Sequence, residues 1–213
     1  LITRAGAWYD FDVTSAVRAW VAQPSTNHGL NIKGYINRSV QYDFVSSNHP
    51  TVGLRPRLTI VYRLTAAPTP TPVPTATPTP TIAPTATPGG ALITRQFQHS
   101  AFDAYIDQRS AYQNFGNAFN LAVRTAKEAN VMASLLQFNL SEIPTDAIVT
   151  QARLEVYAYQ RSNPSYIWVQ THKMRAPWNV TQVSWINAYN SHPWQVAGAA
   201  GAADRDPVYS DRK

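Results

Sequence analysis

Short stretches in which apolar and polar residues alternate recur along most of the chain, and they predict strands. Leu58-Thr59-Ile60-Val61-Tyr62, Gln41-Tyr42-Asp43-Phe44-Val45 and Gly29-Leu30-Asn31-Ile32-Lys33 are rich in β-branched and aromatic residues. So are Ser134–Leu140, closed by Ser141-Glu142-Ile143-Pro144, and Arg153–Tyr159. Tyr166–Gln170 follows the turn residues Arg161–Ser165, and this spacing predicts a hairpin between the two flanking strands. One segment has helical rather than alternating spacing. In Asp12–Val21 the residues Val17, Trp20 and Val21 fall on one face, with Thr14 as the expected N-cap. Many short strands with turns between them and a single short helix predict an all-β sandwich of jelly-roll type.

The alternation stops between Thr65 and Gly90. These 26 residues carry no charge and hold eight of the sixteen prolines together with nine threonines. Proline fixes φ and removes amide donors, so the expected conformation is an extended polyproline-II linker, at most about 80 Å long at ~3.1 Å per residue. The chain therefore divides into residues 1–64, the Thr/Pro-rich linker 65–90 and residues 91–213. The first piece is near the lower size limit for a core of its own.

The two flanks are not copies of each other; they read as complementary parts of one fold. Asp103-Ala104-Tyr105-Ile106, Asn114-Phe115-Gly116, Leu121-Ala122-Val123, Ser134–Pro144 and Ala152–Tyr157 follow one another in the order of a family's opening half. Trp178-Asn179-Val180-Thr181, Val183-Ser184-Trp185, Trp194, Gly198 and Asp204 come next. Trp8–Thr14, Trp20, Asn27-His28-Gly29-Leu30, Phe44–Ser47 and Arg55–Tyr62 look like its closing half. On these residues the chain resembles the DNRLRE-type jelly-roll domain, which is similar to some carbohydrate-binding modules of secreted bacterial proteins. Here the closing half precedes the opening half. The resemblance implies that residues 1–64 are the C-terminal half of a β-sandwich and residues 91–213 its N-terminal half. The expected completion is by residues 1–64 of the next repeat or subunit; closure within one chain, with the linker looping back, is the remaining arrangement.

The net charge is +6, with seven Lys/Arg against three acids in residues 1–64 and eleven against nine in residues 91–213. The basic residues are scattered, without the clustering that tracks a phosphate backbone, so nucleic acid is not an expected partner. No run approaches the ~18 apolar residues of a membrane span. There is no cysteine, which removes disulfides and thiolate metal sites from consideration. The sequence opens Leu1-Ile2-Thr3-Arg4 and reads as a mature or excised segment of something longer.

No nucleophile elbow, phosphate loop or histidine metal spacing is present, so catalysis is not expected. Asp103, Asp107 and Asn114 gather oxygen ligands near Gly116 and could suit calcium; their alternative role is to cap turns. No other cofactor is expected. Tyr105, Tyr112, Phe115, Tyr166 and Trp168 could stack on sugar rings, and Arg109 and Arg161 could pair with uronic carboxylates. Most tryptophans, Trp8 and Trp20 included, read as core. Glycans are expected on the linker threonines Thr69, Thr71, Thr75, Thr77, Thr79, Thr81, Thr85 and Thr87. Sequons also place Asn37, Asn139 and Asn179 as candidate attachment points.

Taken together, the sequence suggests a structural repeat of an extracellular or cell-surface fibre: β-sandwich beads joined by glycosylated linkers, with neighbouring copies as partners. The alternative is a carbohydrate-binding module of a secreted multidomain enzyme, with polysaccharide as its partner.

Overall fold

The computed structural model describes residues 1–35, 38–64, 90–98, 101–126 and 130–213. Before the linker lie four strands, β1 (Ala7–Asp12), β2 (Leu30–Gly34), β3 (Val40–Val45) and β4 (Arg57–Arg63), and one helix, α1 (Thr14–Ala22). After it come β5 (Ile93–Phe97), β6 (Ala101–Asp107), β7 (Asn120–Thr125), β8 (Met132–Phe138), β9 (Ile148–Arg161) and β10 (Val169–Lys173). Three short strands close the chain: β11 (Asn187–Tyr189), β12 (His192–Pro193) and β13 (Asp211–Arg212). Eleven of these strands form a large curled antiparallel sheet in the order β13-β10-β2-β8-β7-β3-β9-β4-β5, with β1 added on β9 and β6 on β8, while β11 and β12 pair only with each other. The fold is mostly β with one helix, consistent with the expected β-sandwich.

The two halves interleave. β1 pairs with β9, β2 with β8 and β10, β3 with β7 and β9, and β4 with β5 and β9. No ladder joins any two of β1–β4, so every ladder of residues 1–64 needs a strand from residues 90–213. In this single chain the two halves close on each other. Leu64 and Gly90 lie side by side, a Cβ built on Gly90 falling 2.7 Å from the Leu64 carbonyl oxygen.

Burial follows the same mixing. The main core joins Phe11, Trp20, Tyr42 and Leu58 to Leu121, Leu136, Leu154 and Ile167. In β4 burial alternates residue by residue, as expected of a strand with one face on a core. A second cluster lies against Ala104, Ile106, Ala133 and Leu135, capped by Met174, Val183, Trp194 and Ala199. The cap is held by buried Asp204, whose Oδ1 accepts from the Gln195 amide and whose Oδ2 accepts from the Val196 and Gly201 amides. Gly198 adopts φ +83°, and a Cβ there would sit 2.6 Å from the Trp185 ring.

Three sequence expectations need correction. The hairpin does not form: β9 pairs with β1, β3 and β4, while β10 pairs with β2 and β13. Turn residues mark a reversal of the chain, but the places beside β9 are taken by strands from residues 1–64, and those beside β10 by β2 and β13. Thr14 is not the N-cap but the first helical residue. Asp12 Oδ1 accepts its amide at 2.9 Å, so the capping oxygen comes from two residues upstream. Trp8 is half-buried rather than core, with the Arg57 guanidinium 4.3 Å from its ring centroid and Tyr157 edge-on at 5.4 Å. The helix face was read correctly: Val17, Trp20 and Val21 are buried, with Ala16 beside them.

Candidate functional site

Beyond the end of β2 a groove of about 630 Å³ opens, lined by Lys33, Gly34, Tyr35, Thr125, Ala126, Val131, Tyr166, Trp168 and Arg212. Its residues come from four separate places in the chain, and the strand order β13-β10-β2-β8-β7 brings them together. The Tyr35 amide donates to the Trp168 carbonyl at 2.7 Å, which sets the two aromatic residues opposite each other on adjoining strands. Gly34 forms the floor: a Cβ there would meet Thr125 at 2.5 Å and Ile167 at 2.7 Å.

The loop that carries Tyr166 and Trp168 is pinned on several sides. The Tyr42 hydroxyl donates to the Ser165 carbonyl at 3.0 Å, and Asn163 Oδ1 accepts the Ser165 amide at 2.9 Å. Ile167 exchanges two backbone hydrogen bonds with Ile2, each 3.0 Å long. Tyr35 is 59% exposed, and Tyr166, Trp168 and Arg212 are half-buried, so the aromatic faces are held from behind and open in front.

Cations sit over these rings. The Arg212 guanidinium lies 5.2 Å from the Trp168 ring centroid, 5.7 Å from that of Tyr35 and 5.3 Å from that of Tyr209. Arg38 lies 5.1 Å from the Tyr166 centroid. Burial, with Arg205 adding repulsion, pulls the Lys33 ammonium down to about 8. Among the described residues, no carboxylate lines the groove. The groove thus offers flat apolar faces, suited to the C–H faces of sugar rings, beside positive charge.

The residues proposed from sequence are scattered by the structure. Of the sugar-binding candidates, Tyr166 and Trp168 line the groove. Tyr105 lies on β6, with β8 and β2 between it and β10, and stacks on Phe115 at 4.1 Å. Burial, then Asp107 and Asp43, push its hydroxyl up to about 12. Arg109 is exposed in the turn after β6, its amide bonded to Asp107 Oδ1 at 3.0 Å.

Asp103, Asp107 and Asn114 are not brought together as a calcium site. The two aspartates lie four residues apart on one strand, about 13 Å at ~3.3 Å per residue. Asp107 is occupied by the Arg109 amide. Asn114 accepts the Gly116 amide and donates to the Val180 and Val183 carbonyls, the turn-capping role that was its alternative. Among the described residues, no three His, Cys, Asp or Glu side chains are grouped to hold a metal ion.

Asn139 and Asn179 are exposed, and each caps the residue two positions on, at Ser141 and Thr181 respectively. Asn37 and the linker threonines Thr69, Thr71, Thr75, Thr77, Thr79, Thr81, Thr85 and Thr87 lie outside the described residues. Lys33, Tyr35 and Arg212 were missed from sequence. Each looks like an ordinary strand-end residue until the ladders set it beside Trp168.

Residues 94–199 match carbohydrate-binding module family 96. The match spans just under half of the chain and supports a carbohydrate-binding-module-like β domain. It contains Tyr166 and Trp168, whereas Lys33, Tyr35 and Arg212 fall outside it. It gives no support to the DNRLRE type in particular. No curated protein and no solved structure matches the chain. Among the described residues, no helix is long and apolar enough to cross a membrane.

Proposed function

We propose that this chain is a non-catalytic carbohydrate-binding module that takes a polysaccharide in the groove between Tyr35, Tyr166 and Trp168. The family match over residues 94–199 carries this reading; the aromatic and cationic lining of the groove supplies the location. Sugar rings stack on Trp168 and Tyr35, while Arg212 and Lys33 favour chains that carry carboxylate or sulfate groups. Such a module acts outside the cell, attached to further domains of a secreted protein.

The test is affinity electrophoresis of the chain through gels containing neutral or acidic polysaccharides, repeated with Trp168→Ala and Tyr35→Ala. Retardation by at least one acidic polysaccharide is expected. Each substitution should weaken it about tenfold, the equivalent of ~1.4 kcal/mol, which is the scale of one aromatic contact. Absence of retardation in every gel, or retardation unchanged by both substitutions, would count against the groove.

A second reading keeps the same domain as a bead in a surface fibre, with glycans on the linker threonines. It is favoured by the interleaving of the halves, because no ladder joins two strands of residues 1–64.

A further inference from the structure

Arg205 is 8% exposed, and among the described residues it forms no ion pair. The carboxylates on either side of it in sequence are engaged elsewhere. Asp204 accepts the Gln195, Val196 and Gly201 amides, and Asp206 meets Lys173 and Arg175. The Arg205 backbone is fixed: its amide donates to the Gly201 carbonyl at 3.1 Å, and it is bridged antiparallel to Met174, just past the end of β10. From there the side chain reaches β2, where Nη1 donates to Asn31 Oδ1 at 2.7 Å. A cation taken out of water without a charge partner is costly to a fold, so its placement calls for a reason.

The reason lies two residues along β2. Lys33 and Asn31 share one face of that strand, about 7 Å apart at ~3.3 Å per residue. Gln170 and Ala133, directly opposite Lys33 on β10 and β8, carry no charge. His172 stands opposite Asn31, and burial brings its imidazole down to about 4, so it is neutral near pH 7. The charged groups on this face are therefore Arg205 and, beyond Gln170, Arg212; Lys127 and Glu128 lie outside the described residues. Asn31 Oδ1, the side-chain acceptor on the same face of the strand, is taken by Arg205. Like charge repels the Lys33 ammonium from that end of the face, and burial leaves the repulsion poorly screened. The open side is the groove, which Lys33 lines and Arg205 does not.

We propose that Arg205 is a positioning residue for the groove: anchored on Asn31, it keeps the Lys33 ammonium turned into the groove, where an anionic group of a polysaccharide meets it. This rests on the reading of the groove as a polysaccharide site. Arg205 touches no ligand and acts only through Lys33.

The test compares two variants in two measurements. Arg205→Gln removes the charge and keeps a donor for Asn31 Oδ1, while Arg205→Lys keeps the charge. First, the Lys33 side-chain resonances of the full chain are titrated by nuclear magnetic resonance without polysaccharide. The midpoint, about 8 in the parent, should rise by about one unit in Arg205→Gln and stay in place in Arg205→Lys. Second, retardation in acidic-polysaccharide gels is measured at pH 7. Arg205→Gln should weaken it about threefold in the parent and leave it unchanged in a Lys33→Met background, with Arg205→Lys close to the parent. A Lys33 midpoint that does not move in Arg205→Gln overturns the proposal. So does equal weakening with and without Lys33, the result of a merely structural role. If no gel retards the parent, the positioning role falls with the groove reading, and the titration separates that failure from a lack of coupling between Arg205 and Lys33.

Discussion

Asp103 allows a stability prediction with its sign and size fixed in advance. The residue is 2% exposed; its Oδ2 accepts the Ser47 amide at 2.7 Å, and its Oδ1 is buried with no hydrogen-bond partner. Burial outweighs the Ser47 hydrogen bonds and the nearby Arg55, and pushes the carboxyl up to about 6 from an ordinary 3.8. Between these two values the folded chain keeps a proton that the unfolded chain has shed. The stabilisation from this group is therefore full below pH ~4 and lost as the pH rises through ~6. A shift of roughly two units corresponds to about 3 kcal/mol at neutral pH.

Asp103→Asn removes the charge while keeping an oxygen for the Ser47 amide, at a cost of about 1–2 kcal/mol for the new amide donors left without partners. That cost is the same at every pH. The stability of the variant relative to the parent should therefore improve by about 2–3 kcal/mol between pH 4 and pH 7, whatever its absolute sign. Urea unfolding of both proteins at several pH values reads the difference directly, and other titrating groups cancel in it. Parallel stability profiles from pH 4 to pH 7 would refute the burial argument.

Lys33 gives a prediction on binding: its ammonium is present below about 8 and lost above it, so affinity for an acidic polysaccharide should fall by up to about tenfold between pH 7 and pH 9. In Lys33→Met that fall should disappear, as measured by titration calorimetry at each pH. Gly198→Ala forces a side chain into a left-handed backbone position against the Trp185 ring and should cost at least about 1–3 kcal/mol in urea unfolding. Leu154→Ala empties a fully buried position on β9, the strand that β1, β3 and β4 all use, and should cost about 2–5 kcal/mol by the same measurement.

The parts of the fold that sequence could reach are those whose signal is local. In β4 the alternation of burial is the same alternation visible in Leu58–Tyr62. The buried helix stripe Val17–Trp20–Val21 likewise follows from spacing alone. What could not be reached depends on which strands become neighbours. Turn residues 161–165 promised a hairpin, yet β9 is flanked by strands whose paired residues lie 85 or more positions earlier in the chain. The groove failed for the same reason. Trp168 could be named as an exposed aromatic, but Tyr35 and Arg212 become its partners only when β2 and β13 add to either side of β10. Asn114 shows the reverse: an oxygen-rich stretch suggested a cation, and backbone groups two residues and some seventy residues away absorb the side chain instead.

The most direct test of the central claim is the set of indole N–H resonances from the six tryptophans. They would be followed by nuclear magnetic resonance while an acidic polysaccharide that retards the chain in gels is added. The Trp168 indole should shift progressively and saturate, while those of Trp20 and Trp194, 3% and 5% exposed, stay in place. A titration in which Trp168 does not move while the polysaccharide still binds would contradict the account.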